Sequence, residues 1–126
     1  MNRIFTPRLV ALEDRTVPAT FGNPWLDGMH VTLSFAPDGT NVSGVQSDLS
    51  SYLADLGPAA RLNVLRAFQT WAIHANLNVG LVGDGGQAFS SGGAIQGDAR
   101  FGDIRIGGRA LAGDVLTVTA PFNLFG

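Results

Sequence analysis

The sequence contains no cysteine and few charged residues. Without cysteine the chain forms neither a disulfide nor a thiolate metal site, and the redox state of its compartment is left open. Charged residues make up 14% of the chain and the net charge is −2, so there is no basic stripe for nucleic acid and no polybasic membrane patch. No segment approaches the run of about 18 apolar residues that a transmembrane helix needs. We therefore expect neither a nucleic-acid partner nor a membrane span.

Glycine, in contrast, is abundant. The 126 residues include 17 glycines, which indicates short strands joined by turns rather than a helical bundle. A chain of this length suits one domain and can bury roughly two-thirds of the surface that its unfolded form exposes. The composition therefore allows a hydrophobic core without covalent cross-links.

The segment from Pro58 to Asn76 has the clearest helical period in the sequence. Pro58 suits the first turn of a helix, and Gly57 interrupts whatever precedes it. Phe68 and Trp71 are three residues apart, so we expect both rings to contact one surface, a sheet packed against the helix. The predicted apolar stripe comprises Val64, Leu65, Ala67, Phe68, Trp71, Ala72 and Ala75.

Strands are predicted on both sides of this helix. Residues 29–35 alternate, with Met29, Val31, Leu33 and Phe35 on the apolar face, and end in the turn residues 36–39. Residues 77–81 alternate again and end in glycines. A short helix is predicted over Ser47 to Leu56, capped by Ser47 or Asp48. Because a helix connects the two strands, we expect them to run parallel with a right-handed crossover.

The C-terminal part is predicted to contain a loop and two more strands. Residues 83–102 are rich in Gly, Ser and Ala, which favours a surface loop with a brief extended piece at 94–96. Residues 103–108 are typical of a third strand, with the isoleucines inward and Asp103 and Arg105 outward. Residues 115–121 are rich in β-branched side chains, and Pro121 suits an edge strand because it cannot donate to a ladder.

These elements predict an α/β (α+β) fold. We expect one mixed, twisted sheet of about four strands backed by one long amphipathic helix, formed by residues 21–126. Residues 1–20 form a separate segment, in which LEDRTVPA resembles the N-terminal segment of many secreted or surface proteins of one group of bacteria. This resemblance implies a targeting or processing segment and a secreted, extracellular protein; the alternative is an ordinary disordered terminus.

Candidate metal ligands are sparse. His30 and His74 are far apart, match no ligand spacing, and are both expected to face solvent. A zinc site made of these two alone lacks the required ligand count. Asp98 and Asp103 flank a short loop and are candidates for holding calcium with loop carbonyls. The commoner alternative is that they bond local backbone at a turn and a strand end.

Catalytic motifs are missing from the 126 residues. The serines at 47, 50, 51, 90 and 91 are not part of a Gly-x-Ser-x-Gly elbow, and no histidine partner stands at a motif spacing. The glycines at 83, 85 and 86 lack the lysine and helix start of a phosphate loop. Read on its own residues, the sequence predicts no complete active site.

An ordered set of segments nevertheless resembles the N-terminal half of matrixin-type zinc metallopeptidases, a branch of the metzincins. The set comprises VTLSFAPDGT, then RLNVLRAFQTWAIHANLNVGLV, then FGDIRIGGRAL followed by LTVTAPFN, across roughly Met29 to Phe122. Trp71 matches the end of the family's helix before a strand, and residues 103–106 match its Asp-Ile-x-Ile strand. The resemblance implies a sheet with a long helix behind it, as in an incomplete metzincin-like N-terminal subdomain.

In that family an edge strand lines the cleft and pairs with the backbone of a peptide or protein substrate. The resemblance therefore implies that the substrate-binding residues are Val115, Leu116, Thr117, Val118, Thr119 and Ala120. The alternative of equal weight is that this is a plain structural strand.

The family's zinc motif, His-Glu-x-x-His-x-x-Gly-x-x-His, does not occur before Gly126. The motif supplies three zinc ligands and the general base. We therefore expect no catalytic residue, no metal ligand and no cofactor in this chain, with zinc belonging to the full-length family. The first hypothesis is the N-terminal portion of a secreted zinc metalloendopeptidase, cut before its zinc half and inactive as it stands. The alternative is a non-catalytic extracellular α/β binding or structural module.

Overall fold

The structure, a computed structural model, describes residues 25–113 and 118–119. The fold is a mixed α/β arrangement of two helices and five strands. In chain order these are β1 (His30–Phe35), β2 (Asn41–Val42), β3 (Val45–Gln46), α1 (Leu49–Asp55), α2 (Ala59–Ala75), β4 (Asn78–Leu81) and β5 (Ile104–Ile106).

The main sheet has three parallel strands in the order β4-β1-β5. Val31 lies opposite Val79, and Leu33 lies opposite both Leu81 and Ile104. The predicted parallel pairing of the first two strands is confirmed. The prediction of one mixed sheet is corrected: β2 and β3 form a separate antiparallel pair. The predicted strand Val115–Ala120 lies outside the described residues apart from Val118 and Thr119, which are exposed and irregular.

Helix α2 follows Pro58 and ends where Asn76 adopts a left-handed conformation with φ of 53°. The face of α2 that packs toward the sheet includes Leu65, Phe68 and Ala72, and Ala72 is buried. Trp71 is 74% exposed, so the prediction that it packs on the sheet with Phe68 is wrong. Each residue turns the helix by about 100°, which places Trp71 on a flank, a full quarter-turn away from Ala72.

The hairpin of β2 and β3 was not expected from the sequence. Ser43 and Gly44 both have positive φ, 52° and 88°, as a two-residue hairpin turn requires. The hairpin leads directly into α1. Of the two predicted caps of α1, the Asp48 side chain makes no capping bond, whereas the Ser47 hydroxyl accepts the N–H of Leu49, the first residue of α1, at 3.4 Å. The Asp38 carboxylate accepts the N–H groups of Ser50 and Ser51 and the Ser51 hydroxyl.

Strand β1 is covered on both faces, as is typical of the central strand of a parallel sheet. Val31 and Leu33 are buried on the helix face, the side on which α2 packs. Ser34 is fully buried on the opposite side, here called the loop face, because residues 83–103 fold over it. Met29, expected on the apolar face, is 55% exposed just before β1 begins. The sequence predicted that one face of β1 is exposed to solvent, whereas the structure covers both faces.

Two further sequence predictions are corrected on the loop face. Asp103 and the Arg105 side chain do not point to solvent: their exposed fractions are 8% and 9%. The reason is that residues 83–102 are not merely a surface loop but a cover for this face. No strand forms at residues 94–96. Gly102 marks the closest approach, because a Cβ added there would lie 2.7 Å from Leu33 C and from Ser34 N.

Neither described helix has both the length and the apolar character needed to cross a bilayer.

Candidate functional site

The polar side chains of the loop face converge in one group, here called the polar cluster. In β1 and in β5, side chains two residues apart in sequence point to the same side of the sheet. The loop that leaves β4 then supplies a carboxylate from above. The members of the polar cluster are Thr32, Ser34, Asp84, Asp103 and Arg105.

A buried ion pair forms the centre of the polar cluster. Arg105 donates from Nε to Asp84 Oδ2 and from Nη2 to Asp84 Oδ1, each at 2.8 Å. The side chains are 9% and 1% exposed, respectively. The Ser34 hydroxyl donates to Asp84 Oδ2 at 2.8 Å and accepts the Gly102 N–H at 2.9 Å. Burial raises the pKa of Asp84, but the bonds from Arg105, the Gly86 N–H and Ser34 more than offset it, so the pKa lies below its ordinary value.

The Arg105 guanidinium is also enclosed by aromatic rings. Its carbon lies 4.5 Å from the centre of the Phe89 ring and 4.3 Å from that of Phe101. It donates a further bond to the Gln87 carbonyl at 2.8 Å. Cation–π contacts and hydrogen bonds together compensate the desolvation of a buried charge. Arg105 therefore holds three parts of the loop against β5.

Asp103 fixes the other end of the loop. One carboxylate oxygen accepts the Thr32 N–H at 2.8 Å and the Thr32 hydroxyl at 2.9 Å, and the other accepts the Gly97 N–H at 2.7 Å. The Asp103 N–H donates back to the Thr32 hydroxyl oxygen at 2.9 Å. Every partner of the Asp103 carboxylate is a hydrogen-bond donor, so this carboxylate holds the backbone of Thr32 and of Gly97 in place.

Asp98 is similarly occupied. It accepts the Nε and Nη2 groups of Arg100 at 3.0 and 2.8 Å and the Arg100 N–H at 2.8 Å. These bonds from Arg100 lower the pKa of Asp98 to about 2. The contacts of Asp98 are those of the alternative to calcium, namely bonds to local backbone at a turn. Asp103 bonds instead to Thr32, 71 residues away in sequence, and to the Gly97 N–H, so its contacts are not the local ones expected. Within residues 25–113 and 118–119, no three His, Asp or Glu side chains come together as metal ligands.

Both histidines lie away from the polar cluster. His30 is exposed and its Nδ1 lies 2.9 Å from Asp27 Oδ2, while His74 is exposed in the last turn of α2. Ser34 consequently has a carboxylate partner but no histidine contact among the described residues. In a serine–histidine pair the histidine is the general base, and Ser34 has no such contact among the described residues. The bonds of the polar cluster position a loop and a strand.

The two outer strands of the sheet are the other functional feature. β5 pairs with β1 on one side, as does β4, and no strand of the described part pairs with their outer edges. The predicted substrate-binding residues Val115–Ala120 would follow β5, but they lie outside the described residues apart from Val118 and Thr119.

Sequence reasoning missed the polar cluster. The usable signal was the alternation of polar residues in two strands, Thr32 with Ser34 and Asp103 with Arg105. The aspartate that completes the polar cluster, Asp84, comes three residues after the end of β4. Alternation of this kind usually indicates a solvent-facing side of a strand, so the pattern alone does not show that the face is covered. Comparisons of the chain with protein-family models, with curated proteins and with solved structures find no match.

Proposed function

We propose that this chain is the N-terminal portion of a secreted, matrixin-like zinc metalloendopeptidase. It contributes the sheet, the helix and the substrate strand, and it contributes no zinc ligand. One observation carries the proposal: the Ile-Arg-Ile part of the Asp-Ile-Arg-Ile segment forms β5, parallel to β1, with an unpaired outer edge in the described part. A sheet with a helix on one face and an edge available for a cleft strand is what the family resemblance implies.

The proposed role of the polar cluster is to make β5 a rigid platform. The ion pair of Arg105 with Asp84 ties β5 to the loop, and Asp103 ties its start to Thr32 of β1. The strand of residues 115–120, which this proposal places beside β5, binds an extended peptide at the smallest cost in free energy when the strand next to it is already ordered. The polar cluster therefore acts on substrate binding through β5 rather than by contact with the substrate.

In this proposal Val115–Ala120 follows β5 and pairs with the substrate backbone. Residues 107–114 are the connection, long enough for the chain to turn and return beside β5. Zinc, its three histidine ligands and the glutamate base come from a part of the protein outside these 126 residues, where zinc would activate water and polarise the scissile carbonyl.

A second candidate is a non-catalytic extracellular α/β module. The observation that favours it concerns the two carboxylates of the polar cluster, which already accept hydrogen bonds from other described residues. Dye binding and thermal melting separate the two functions. A part of a larger fold exposes apolar surface and binds a hydrophobic dye, whereas a complete module is dye-negative and melts sharply.

The proposed function is tested by comparing two proteins, the 126-residue chain and the product of the same reading frame extended beyond Gly126. Zinc is measured by mass spectrometry, and cleavage is measured with quenched fluorescent peptides. We expect neither zinc nor cleavage with the short chain, and both with the extended one. The control is the extended protein with the glutamate of its zinc motif changed to glutamine, which should keep zinc and lose cleavage. An extended protein that binds no zinc and cleaves nothing contradicts the proposal.

A further inference from the structure

The outer edge of β4, on the opposite side of the sheet from β5, carries its own binding features. The N–H groups of Asn78 and Val82 donate to Met29 and Leu33 carbonyls, at 2.7 and 2.9 Å. In a parallel strand the intervening residues, Val79 and Leu81, turn their N–H and C=O groups the other way. These outward groups have no partner strand among the described residues.

Nothing in the sequence of this edge blocks pairing. Proteins usually protect an edge strand with proline, with charged side chains or with a bulge. Residues 77–82 read LNVGLV, with neither proline nor charge. The edge is therefore a competent template for one more strand.

A groove lined by both polar and apolar side chains runs beside this edge, here called the α2/β4 groove. It has a volume of about 420 Å³. The sheet contributes Leu33, Val79 and Leu81 to it, and the helix contributes Phe68, Ala72 and Ile73. Leu81 is 50% exposed and Ile73 is 72% exposed, so apolar side chains remain open to solvent where a strand along β4 would place its own.

The charge at the rim of the α2/β4 groove has one sign. Arg66 precedes the groove residues Gln69 and Ile73 by three and seven positions, which puts all three on one side of α2. Residues 57–83 contain two arginines and no Asp or Glu. One of these, Arg61, lies over the Phe35 ring, whereas Arg66 forms no ion pair with any described residue. The rim therefore complements a carboxylate.

We infer that the β4 edge binds an extended segment of a partner protein in which an apolar residue is followed by an acidic one. The segment pairs with the outward groups of Val79 and Leu81, its apolar side chain fills the α2/β4 groove, and its carboxylate meets Arg66. A second copy of this chain fits less well, because two-fold pairing of β4 with itself brings two cationic rims together. This site consists of residues of β4 and α2, whereas the protease proposal concerns β5 and residues 115–120. The two proposals are therefore independent.

The inference is tested by NMR titration of the full chain with a blocked peptide of alternating valine and threonine that ends in aspartate. We expect the Val79 and Leu81 amides to shift most. The same peptide N-methylated at alternate residues, which cannot pair with a strand, should not bind. Arg66→Gln should weaken binding about tenfold, the usual worth of a charge-assisted hydrogen bond. Ser90→Asp, an equal change of charge at an exposed position in the loop on the other face of the sheet, should leave it unchanged.

Hydrogen exchange of the free chain shows whether the β4 edge is instead covered by another part of the same chain or by a second copy. We expect fast exchange at Val79 and Leu81 beside slow exchange at Asn78 and Val82. Protection of Val79 and Leu81 in dilute free chain means that the chain covers its own edge, and protection that appears only at high concentration means that a second copy does. Either result overturns the inference, as does peptide binding that is insensitive to N-methylation and to Arg66→Gln.

Discussion

Arg105 and Asp84 form a two-bond ion pair, 2.8 Å on each side, beneath a glycine-rich loop. The pair joins β5 to the residues that follow β4, across the loop face of β1, and Ser34 of β1 bonds to the same carboxylate. Three segments distant in sequence thus meet at one carboxylate. The order of the loop and of β5 depends on this contact.

Removing the charge of Asp84 should destabilise the fold strongly. Asp84→Asn leaves the Arg105 guanidinium buried without its counter-ion, which costs about 3–5 kcal/mol in comparable pairs. The measurement is urea denaturation monitored by circular dichroism. Asp55→Asn, on an exposed residue at the end of α1, should change the free energy of unfolding by less than about 0.5 kcal/mol.

A double variant separates the two causes of this loss. Replacing both partners, as Asp84→Leu with Arg105→Met, removes the unpaired charge as well as the bond. The double variant should therefore be more stable than the sum of the single variants predicts, by about 1–3 kcal/mol. Strict additivity would show that the two side chains do not interact in solution.

Gly102 should not tolerate a side chain. A Cβ at this position would lie 2.7 Å from Leu33 C and Ser34 N, both backbone atoms that cannot rotate away. Gly102→Ala should cost about 1–3 kcal/mol in the same denaturation assay. The matched control is Gly92→Ala in the same loop, where no atom lies within 4 Å. Equal stability of the two variants would refute the close approach of the loop to β1.

Loop stability should fall in acid. The pKa of Asp98 is about 2 in the folded chain, lowered from 3.8 by the bonds from Arg100, and that of Asp84 is also lowered. A carboxyl with a lowered folded pKa stabilises fully above its unfolded pKa, and the stabilisation is lost as pH falls through the folded pKa. We expect the loss between about pH 4 and pH 2, visible as lower amide protection factors at Arg100 and Gly86, whose N–H groups donate to Asp98 and Asp84. Asp98→Asn should flatten this dependence, and a loss centred near pH 6 would contradict the assignment.

The orientation of α2 is testable by comparing one exposed and one buried apolar side chain. Leu33 is 1% exposed and Trp71 is 74% exposed. Leu33→Ala should cost about 3 kcal/mol, whereas Trp71→Ala should cost less than about 1 kcal/mol. If Trp71→Ala is the more damaging change, the helix face first expected from the sequence is right and the observed orientation is wrong.

The elements with regular periodicity were predictable from sequence. β1, β4, β5 and α2 appear within about two residues of their expected positions, because apolar repeats of 2 and 3.6 residues encode them locally. Trp71 was misplaced because a broad apolar stripe does not say which of its flanks is buried. The β2–β3 hairpin was missed because strands of two residues carry no period.

The polar cluster was unpredictable for a different reason. Ser34 and Asp84 are 50 residues apart, and Thr32 and Asp103 are 71 apart. A polar face in a strand usually indicates solvent, and only the tertiary fold shows that residues 83–103 cover it. Asp103 and Arg105 were therefore assigned outward although their alternation was read correctly.

We propose that this chain is the substrate-strand portion of a zinc endopeptidase. The most direct measurement is the sequence of the source DNA beyond the codon for Gly126. We expect the frame to continue into His-Glu-x-x-His-x-x-Gly-x-x-His within about 50 codons, a distance estimated from the size of half a domain. A stop codon at once, with no such motif nearby, contradicts it and leaves a non-catalytic binding module as the function to pursue.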